Sequence, residues 1–261
     1  MPHIKAERLV VEFPIYQTTH RSLKQTVMHA TTGGRIARDA GNRVVVRAVD
    51  GVSFEIKGGD RVGLIGNNGA GKTTLLRVLS GIYEPLSGKL SVTGRTATLL
   101  DLTLGIDVEA TGYENIVLRG IMAGLHPREV ESKIGEIADF TDLGDYLDMP
   151  LKTYSAGMRL RLAFAVSTSI EADVLLMDEW LSVGDKSFSE KAAARLEGLI
   201  ERSPILVLAS HSFPLVSKIC TRVFQLEQGK ITEVPVATLD AERKPEINQR
   251  DLLSSLTHKG P

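Results

Sequence analysis

The chain has 261 residues, of which 43% are hydrophobic and 24% are charged. This composition is that of a globular protein built on one core or two small lobes, and it excludes a largely disordered chain. The formal net charge is −1. A dedicated nucleic-acid-binding protein usually carries a basic surface that neutralises phosphates, so this balance argues against binding to DNA or RNA.

Two further features of the composition bear on location. The sequence contains no run of about 18 apolar residues and no basic-then-apolar leader, so we expect a cytosolic chain that does not span a bilayer. Cys220 stands alone and cannot form an intrachain disulfide. It is expected to be a small buried residue rather than a reactive thiol.

The first 65 residues read as strands interrupted by a polar insertion. A strand is predicted over 4–16 and a second over 44–56. Between them, residues 17–43 are predicted to form an inserted loop that could hold a short helix over 22–30. A short buried strand over 61–65 follows a glycine turn.

The middle of the chain changes to a helical pattern over 114–125 and 127–141, with Pro127 where a helix can begin. After Pro150, helices and continuously apolar strands alternate, which indicates a parallel sheet covered on both faces. The predicted elements are helices over 156–170 and 186–201, strands over 174–177 and 205–209, a short helix, a hairpin near 222–232 and a polar tail over 236–261.

A phosphate-binding motif follows the strand over 61–65. The residues Gly66-Asn67-Asn68-Gly69-Ala70-Gly71-Lys72-Thr73 match G-x-x-x-x-G-K-[ST]. Glycines let successive backbone N–H groups face a β-phosphate, and the helix predicted over 74–80, entered through Thr74, adds its positive N-terminus. Lys72 can reach the β- and γ-phosphates, and the Thr73 hydroxyl can hold Mg²⁺. The motif predicts ATP and Mg²⁺ as cofactors.

A second chemical site lies where the strand over 174–177 ends. Asp178 and Glu179 offer one carboxylate for Mg²⁺ and one to polarise an attacking water. Two acids at a strand end are also common as solvated surface groups. The phosphate loop in the same chain favours the catalytic interpretation.

The stretch Tyr154-Ser155-Ala156-Gly157-Met158 precedes the helix over 156–170. Taken singly, Ser155 is an ordinary N-cap. The order of features is more informative: phosphate loop, helical insert, Ser-x-Gly helix start, strand with Asp-Glu, and strand with Ser-His. Over residues 4–233 this order resembles the ATP-binding-cassette (ABC) ATPases.

That resemblance implies an α/β fold: a P-loop NTPase core with a mostly parallel sheet, an N-terminal antiparallel β subdomain and a helical subdomain over about 102–160. Residues 1–235 would form this nucleotide-binding domain. It also implies a head-to-tail dimer, in which Ser155 and Gly157, matching two positions of the family's Leu-Ser-Gly-Gly-Gln signature, close over the γ-phosphate held by a second copy.

Further residues acquire roles only through the resemblance. His211 matches the family's switch histidine, although an isolated histidine is more often structural. Residues Ser182 to Asp185 match the loop that links the two nucleotide sites. Tyr16 is a candidate to stack on adenine, with an exposed strand-end tyrosine as the alternative. Where the family has a glutamine that senses Mg²⁺ and the membrane partner, this chain has Asp101, which could reach the metal through water.

Several departures from the general pattern resemble the subfamily that exports O-antigen, capsule or teichoic-acid chains. They are the Leu-Leu-acidic-Leu segment ending in Leu102, Gly112 to Ile116, Tyr154 to Met158, Leu162 to Val166, Val183 to Asp185 and the insertion over 17–43. This resemblance implies a peripheral ATPase on the cytoplasmic face of the inner membrane, bound to an integral membrane permease and moving a lipid-linked polysaccharide. Two alternatives remain at this point: a soluble ABC-type ATPase acting on the ribosome or nucleic acid, and a nucleotide sensor without turnover.

Overall fold

The structure, a computed structural model, describes residues 1–15, 35–38, 44–179 and 186–241. An antiparallel sheet forms the N-terminal part, in the order β2-β3-β1-β5. Its long central pair, β1 and β3, runs antiparallel from the pairing of His3 with Lys57 to that of Pro14 with Val45. The strands of this sheet are β1 (His3–Pro14), β2 (Arg35–Arg38), β3 (Val44–Lys57) and β5 (Ser87–Thr93).

A second sheet contains the strands that lead into the phosphate-binding motif and into Asp178 and Glu179. Its order is β10-β9-β4-β8-β7-β6, and every neighbouring pair is parallel except the terminal hairpin of β9 and β10. The carboxyl ends of the parallel strands therefore meet along one edge. The strands are β4 (Arg61–Ile65), β6 (Thr96–Leu99), β7 (Val174–Asp178), β8 (Ile205–Ala209), β9 (Arg222–Glu227) and β10 (Lys230–Val234).

Helices cover the second sheet, and their starts follow the local sequence. Thr111 and Glu114 form a capping box at one helix, and Pro127 occupies the first turn of the next. No helix in the described part of the chain combines the length and apolarity needed to cross a bilayer. The helices are α1 (Lys72–Leu79), α2 (Gly112–Met122), α3 (Pro127–Thr141), α4 (Ala156–Thr168), α5 (Lys186–Arg202), α6 (Phe213–Ile219) and α7 (Thr238–Ala241).

Alternate residues of β7 and β8 point into two separate hydrophobic clusters, as the two-residue period of a strand requires. Leu176 and Val207 face the cluster shared with α1 and the antiparallel sheet. Leu175 and Leu206 face the cluster shared with α4, α5 and α6. Both faces of these strands are thus covered, and each fully buried Leu or Val contributes about 1.5–3 kcal/mol. The predicted fold class is confirmed.

Three local features differ from the sequence interpretation. Residues 35–38, assigned to the inserted loop, form β2 because their backbone pairs with β3; the helix suggested over 22–30 lies outside the described residues. β5 was not predicted at all, since its side chains are largely exposed and its sequence has no apolar run. The predicted tail is packed at its start, where α7 contacts α6 and buries Leu239.

Cys220 is buried, as expected from its neighbours in the sequence. Burial raises the pKa of its thiol to about 12. The nucleophilic thiolate is therefore scarce at neutral pH, and Cys220 acts as a small apolar residue beside Gly63.

Candidate functional site

The phosphate loop connects β4 to α1, and two of its glycines are required by close backbone approach. A Cβ added to Gly66 would overlap the carbonyl oxygen of Leu226, and one added to Gly71 would overlap that of Ala48. Both glycines also have positive φ, 143° and 108°. The loop is therefore clamped between β9 and β3, and no side chain fits at either position without displacing it.

Lys72 lies at the start of α1 and is only 7% exposed. Its Nζ donates to the carbonyl oxygens of Gly66 (2.7 Å) and Asn67 (3.2 Å) and lies 3.2 Å from His211 Nε2. Burial lowers the pKa of Lys72 below its usual value, and the charges of Asp178 and Glu179 offset this only in part. The result is a cation held deep in the site by backbone carbonyls, ready to bind an anion.

Asp178, the last residue of β7, lies beside the phosphate loop. The Thr73 hydroxyl donates to Asp178 Oδ2 at 2.6 Å. A hydroxyl and a carboxylate in contact are oxygen donors of the kind that Mg²⁺ takes in nucleotide sites. Together they form the pair that the sequence predicts for the metal.

Glu179 follows β7 in a left-handed backbone conformation, with φ of 67°. This conformation costs a non-glycine residue about 1–2 kcal/mol and is often found at functional sites. Glu179 N donates to Ala209 O (2.8 Å), and the carboxylate accepts from Ser210 Oγ (3.3 Å) and from the backbone N–H of His211 (3.2 Å). The acid is thereby held at the end of β8.

These groups surround one open cavity of about 510 Å³ at the carboxyl edge of β4, β7 and β8. Gly66, Asn67 and Ala70 belong to the loop, where Ala70 N donates to Asn67 O, but these three residues are not part of the lining. Ala48 and Leu100 line the cavity and were not identified from the sequence, because neither carries a chemical signal. The lining residues are Ala48, Asn68, Gly69, Gly71, Lys72, Thr73, Thr74, Leu100, Asp178, Glu179 and His211.

Asp101 is not brought to this cavity; its neighbour Leu100 forms part of the wall instead. The Asp101 carboxylate accepts hydrogen bonds from the backbone N–H (3.0 Å) and hydroxyl (2.8 Å) of Thr103. It lies in an adjoining cavity of about 400 Å³ together with Arg119. The position predicted to reach the metal thus forms a local turn, and Asp101 lines the adjoining cavity rather than the one lined by Thr73 and Asp178.

Ser155 and Gly157 lie apart from the phosphate loop, in a cavity of about 620 Å³ that shares no lining residue with it. The Ser155 side chain caps α4 by accepting from Met158 N at 3.2 Å. Within one chain, therefore, the predicted site residues other than Asp101 fall into two groups, one around Lys72 and one at Ser155 and Gly157. Tyr16 and the stretch over 182–185 lie outside the described residues.

The first group, the residues around Lys72, fits a nucleoside triphosphate. α1 begins without a side-chain cap or an acidic residue in its first turn, so its N-terminal N–H groups are available to an anion beside a buried ammonium. Strand, glycine loop and helix in this order, with an acidic pair on a neighbouring strand, define a P-loop nucleotide-binding protein.

The particular family follows from comparison with known proteins. Residues 49–182 match the ABC transporter family, and the chain belongs to that family. It is an ABC-type ATPase, which confirms the resemblance found in the sequence.

Three relatives indicate the branch of the family. The chain is 45% identical to the O-antigen export system ATP-binding protein RfbE of Yersinia enterocolitica, over 87% of this chain and 95% of RfbE. It is 34% identical to RfbB of Klebsiella pneumoniae, over 89% of this chain and 93% of RfbB. It is 38% identical to the teichoic acids export protein TagH of Listeria monocytogenes, over 77% of this chain but only 59% of TagH.

Solved structures of ATP-binding cassettes share the fold. A dimeric cassette in a post-hydrolysis state bound to ADP and Pi matches with a TM-score of 0.62 and 17% identity, over 89% of this chain and 98% of that chain. An ATP-binding subunit of an ABC transporter matches with a TM-score of 0.63 and 20% identity, over 97% and 99%. At these identities the likeness bears on the fold alone.

The close approach at Gly71 predicts a specific loss of ATP binding. Gly71→Ala should weaken ATP affinity at least about ten-fold, because the new Cβ displaces the loop from Ala48. Gly59→Ala is the matched control: Gly59 has a similar φ of 98° but open space where its Cβ would lie. Both variants should lose about 1 kcal/mol of stability from the left-handed backbone. Nucleotide titration and thermal unfolding separate the two effects, and equal affinities in the two variants would contradict the clamp.

Proposed function

We propose that the chain is the ATP-hydrolysing subunit of an ABC exporter that moves a lipid-linked polysaccharide, of O-antigen, capsular or teichoic-acid type, across the cytoplasmic membrane. The observation that carries the ATPase part is the convergence of Lys72, Asp178, Glu179 and His211 on one cavity. The export part rests on the similarity to RfbE over nearly its whole length.

In this proposal Glu179 polarises a water for in-line attack on the γ-phosphate. Its side chain is 48% exposed, so water reaches it, while contacts at the end of β8 hold the carboxylate in place. Lys72 neutralises charge on the β- and γ-phosphates, and His211 contacts the γ-phosphate and orients the water. Thr73 and Asp178 would hold Mg²⁺, which supplies charge neutralisation when bound. Asp101 is left out of the metal shell because its side chain lies in the adjoining cavity.

Binding of ATP should rearrange Lys72. Its Nζ is bonded to two loop carbonyls and lies against His211. A phosphate entering the cavity is a stronger partner for an ammonium than a neutral carbonyl or imidazole, because the hydrogen bond is charge-assisted on both sides. Lys72 and His211 would then both turn toward the γ-phosphate.

The second group of site residues supports a head-to-tail dimer. Gly157 is exposed in the first turn of α4, and a Cβ added there would meet only Ser155 Oγ, at 3.8 Å. Among the residues that the structure describes there is therefore no steric reason for glycine, which lowers helix propensity by about 1 kcal/mol relative to alanine. The bare backbone suits close approach by a group from outside the chain. We propose that this group is the γ-phosphate held by a second copy.

We also propose that an integral membrane permease contacts the cavity that holds Asp101, and that this contact keeps the ATPase at the cytoplasmic face of the membrane. Exposed apolar side chains lie in this region: Leu104 is 63% and Met122 is 66% exposed, and both line the cavity. Ile121, on the same helix as Met122, is also exposed. Clustered exposed apolar residues are typical of a surface that another protein covers.

The catalytic assignment predicts the behaviour of Glu179→Gln. This variant should bind ATP with unchanged affinity but hydrolyse it at least about a hundred-fold more slowly, because the amide cannot polarise the water. Phosphate release and nucleotide titration measure the two properties. Glu201→Gln, an exposed glutamate at the end of α5, is the control and should hydrolyse normally. Near-normal turnover by Glu179→Gln would refute the role.

The proposed dimer predicts that one glycine substitution lowers turnover without lowering thermal stability. In a Glu179→Gln background, Gly157→Ala should abolish ATP-dependent dimerisation on size exclusion, and alone it should lower turnover at least about ten-fold, while thermal stability stays equal or rises. Gly135→Ala is the matched control, since Gly135 is likewise an exposed helical glycine with open space around it. Dimerisation of the Gly157→Ala variant at normal ATP concentrations would argue against the composite site.

The export assignment predicts a cellular phenotype. In the native host, replacing the chain by its Glu179→Gln variant should remove a polysaccharide from the cell surface and accumulate its lipid-linked form inside, because synthesis continues without transport. The Glu201→Gln replacement should leave surface polysaccharide unchanged. Normal surface polysaccharide in the Glu179→Gln strain, with RNA rather than a polytopic membrane protein purifying alongside the chain, would favour the ribosome or nucleic-acid alternative.

A further inference from the structure

We propose that Ser210 is a positioning residue for ATP hydrolysis: its buried hydroxyl fixes the orientation of the Glu179 carboxylate. This inference rests on the proposed role of Glu179 as the group that polarises water. Ser210 itself lies behind the carboxylate, does not line the nucleotide cavity and needs no contact with ATP.

The position of Ser210 is fixed by the sheet. It follows β8 directly and is fully buried, with 0% of its surface exposed. Its backbone N–H donates to the carbonyl oxygen of Leu64 at 3.1 Å, which continues the parallel pairing of β8 with β4. Ser210 is therefore anchored to the strand that leads into the phosphate loop, so it shares a rigid frame with Lys72 and Thr73.

The direction of the Ser210 hydroxyl is set by its second partner. The backbone N–H of Ser212 donates to Ser210 Oγ at 3.1 Å. With one lone pair occupied in this way, the hydroxyl proton is available to Glu179 Oε2, 3.3 Å away. That separation is long for a hydroxyl–carboxylate bond, as catalytic hydrogen bonds commonly are before substrate binds. The two hydrogen bonds, from Ser212 N–H to Ser210 Oγ and from Ser210 Oγ to Glu179 Oε2, thus lead to the carboxylate.

The Glu179 carboxylate needs a contact that fixes its orientation. Its side chain is half exposed, and a glutamate loses considerable rotamer freedom when it is held in a single orientation. Among the described residues, its carboxylate contacts are Ser210 Oγ, the His211 N–H and, at 3.8 Å, His211 Nε2. His211 Nε2 also lies 3.2 Å from Lys72 Nζ and would turn toward phosphate in the proposed mechanism. The Ser210 hydroxyl is the side-chain contact that stays in place throughout.

Removing the hydroxyl should therefore slow the chemical step and spare ATP binding. For Ser210→Ala we expect kcat for phosphate release to fall about ten-fold, equivalent to about 1.4 kcal/mol, with KM for ATP within about two-fold of the original. Ser210→Thr, which keeps the hydroxyl, should recover most of kcat. Ser203→Ala is the matched control: Ser203 is also a buried serine, 5% exposed, whose hydroxyl donates to Leu199 O, and its loss should leave kcat within about two-fold.

A double-mutant cycle tests that the effect passes through Glu179. In a Glu179→Gln background, single-turnover measurements should show that Ser210→Ala lowers the residual rate by less than about two-fold, because the group it positions is already inactive. A ten-fold loss in that background, an unchanged kcat in Ser210→Ala, or a rise in KM alone would each overturn the positioning role.

The outcomes separate this proposal from the proposed function. Normal hydrolysis by Glu179→Gln would remove the ATPase mechanism itself, whereas an inactive Glu179→Gln beside a fully active Ser210→Ala would overturn only the role of Ser210. Thermal unfolding is measured for every variant. Should Ser210→Ala fail to fold, Ser210→Cys replaces it, since a thiol has a similar shape but is a weak donor, and the same loss of kcat is expected.

Discussion

The arrangement of the site depends on a buried ammonium group, that of Lys72. Burying a charge is costly unless it is paired and hydrogen-bonded, and Lys72 is 7% exposed. The loop satisfies it with two of its own carbonyl oxygens, which requires the tight backbone turn that Gly66 and Gly71 allow. Asp178 and Glu179 supply negative charge that stabilises the ammonium. The positive N-terminus of α1 attracts an anion to the same place. The pocket is thus prepared electrostatically for phosphate before any phosphate enters.

The parallel sheet brings the remaining groups to this ammonium. β4, β7 and β8 all end at the same edge, so residues far apart in the chain arrive within hydrogen-bonding distance of each other. Glu179 N bonds to Ala209 O, and Ser210 N bonds to Leu64 O. These two backbone bonds link Glu179, the end of β8 next to His211, and the strand that leads into the phosphate loop. Because both faces of β7 and β8 are buried, the strands cannot shift relative to each other without exposing apolar surface.

The sequence predicts those parts of the molecule whose signals are local. The strands over 61–65 and 205–209 and the helix over 127–141 have the predicted bounds because an apolar pattern meets a glycine, proline or polar residue at each end. β5 escapes prediction because its exposed residues gain stability from pairing with β1, a contact between distant segments. The direction of a side chain at a turn cannot be predicted from the sequence either. The Asp101 carboxylate accepts hydrogen bonds from Thr103, two residues later in the chain. Ser210 lay beside a predicted histidine, yet only the fold shows that its hydroxyl reaches Glu179.

Two kinds of glycine distinguish what the chain needs for itself from what it offers to a partner. Gly66 and Gly71 have left-handed backbones and no space for a Cβ, so the folded monomer explains them completely. Gly157 has an ordinary helical backbone, and a Cβ there would meet only Ser155 Oγ at 3.8 Å, so none of the described residues explains the glycine. The same contrast divides the site: the groups around Lys72 contact one another, whereas Ser155 and Gly157 face outward from a separate cavity. In the proposed head-to-tail dimer, the bare backbone at Gly157 of one copy would meet the phosphate held beside Lys72 of the other, so the two cavities would form one site.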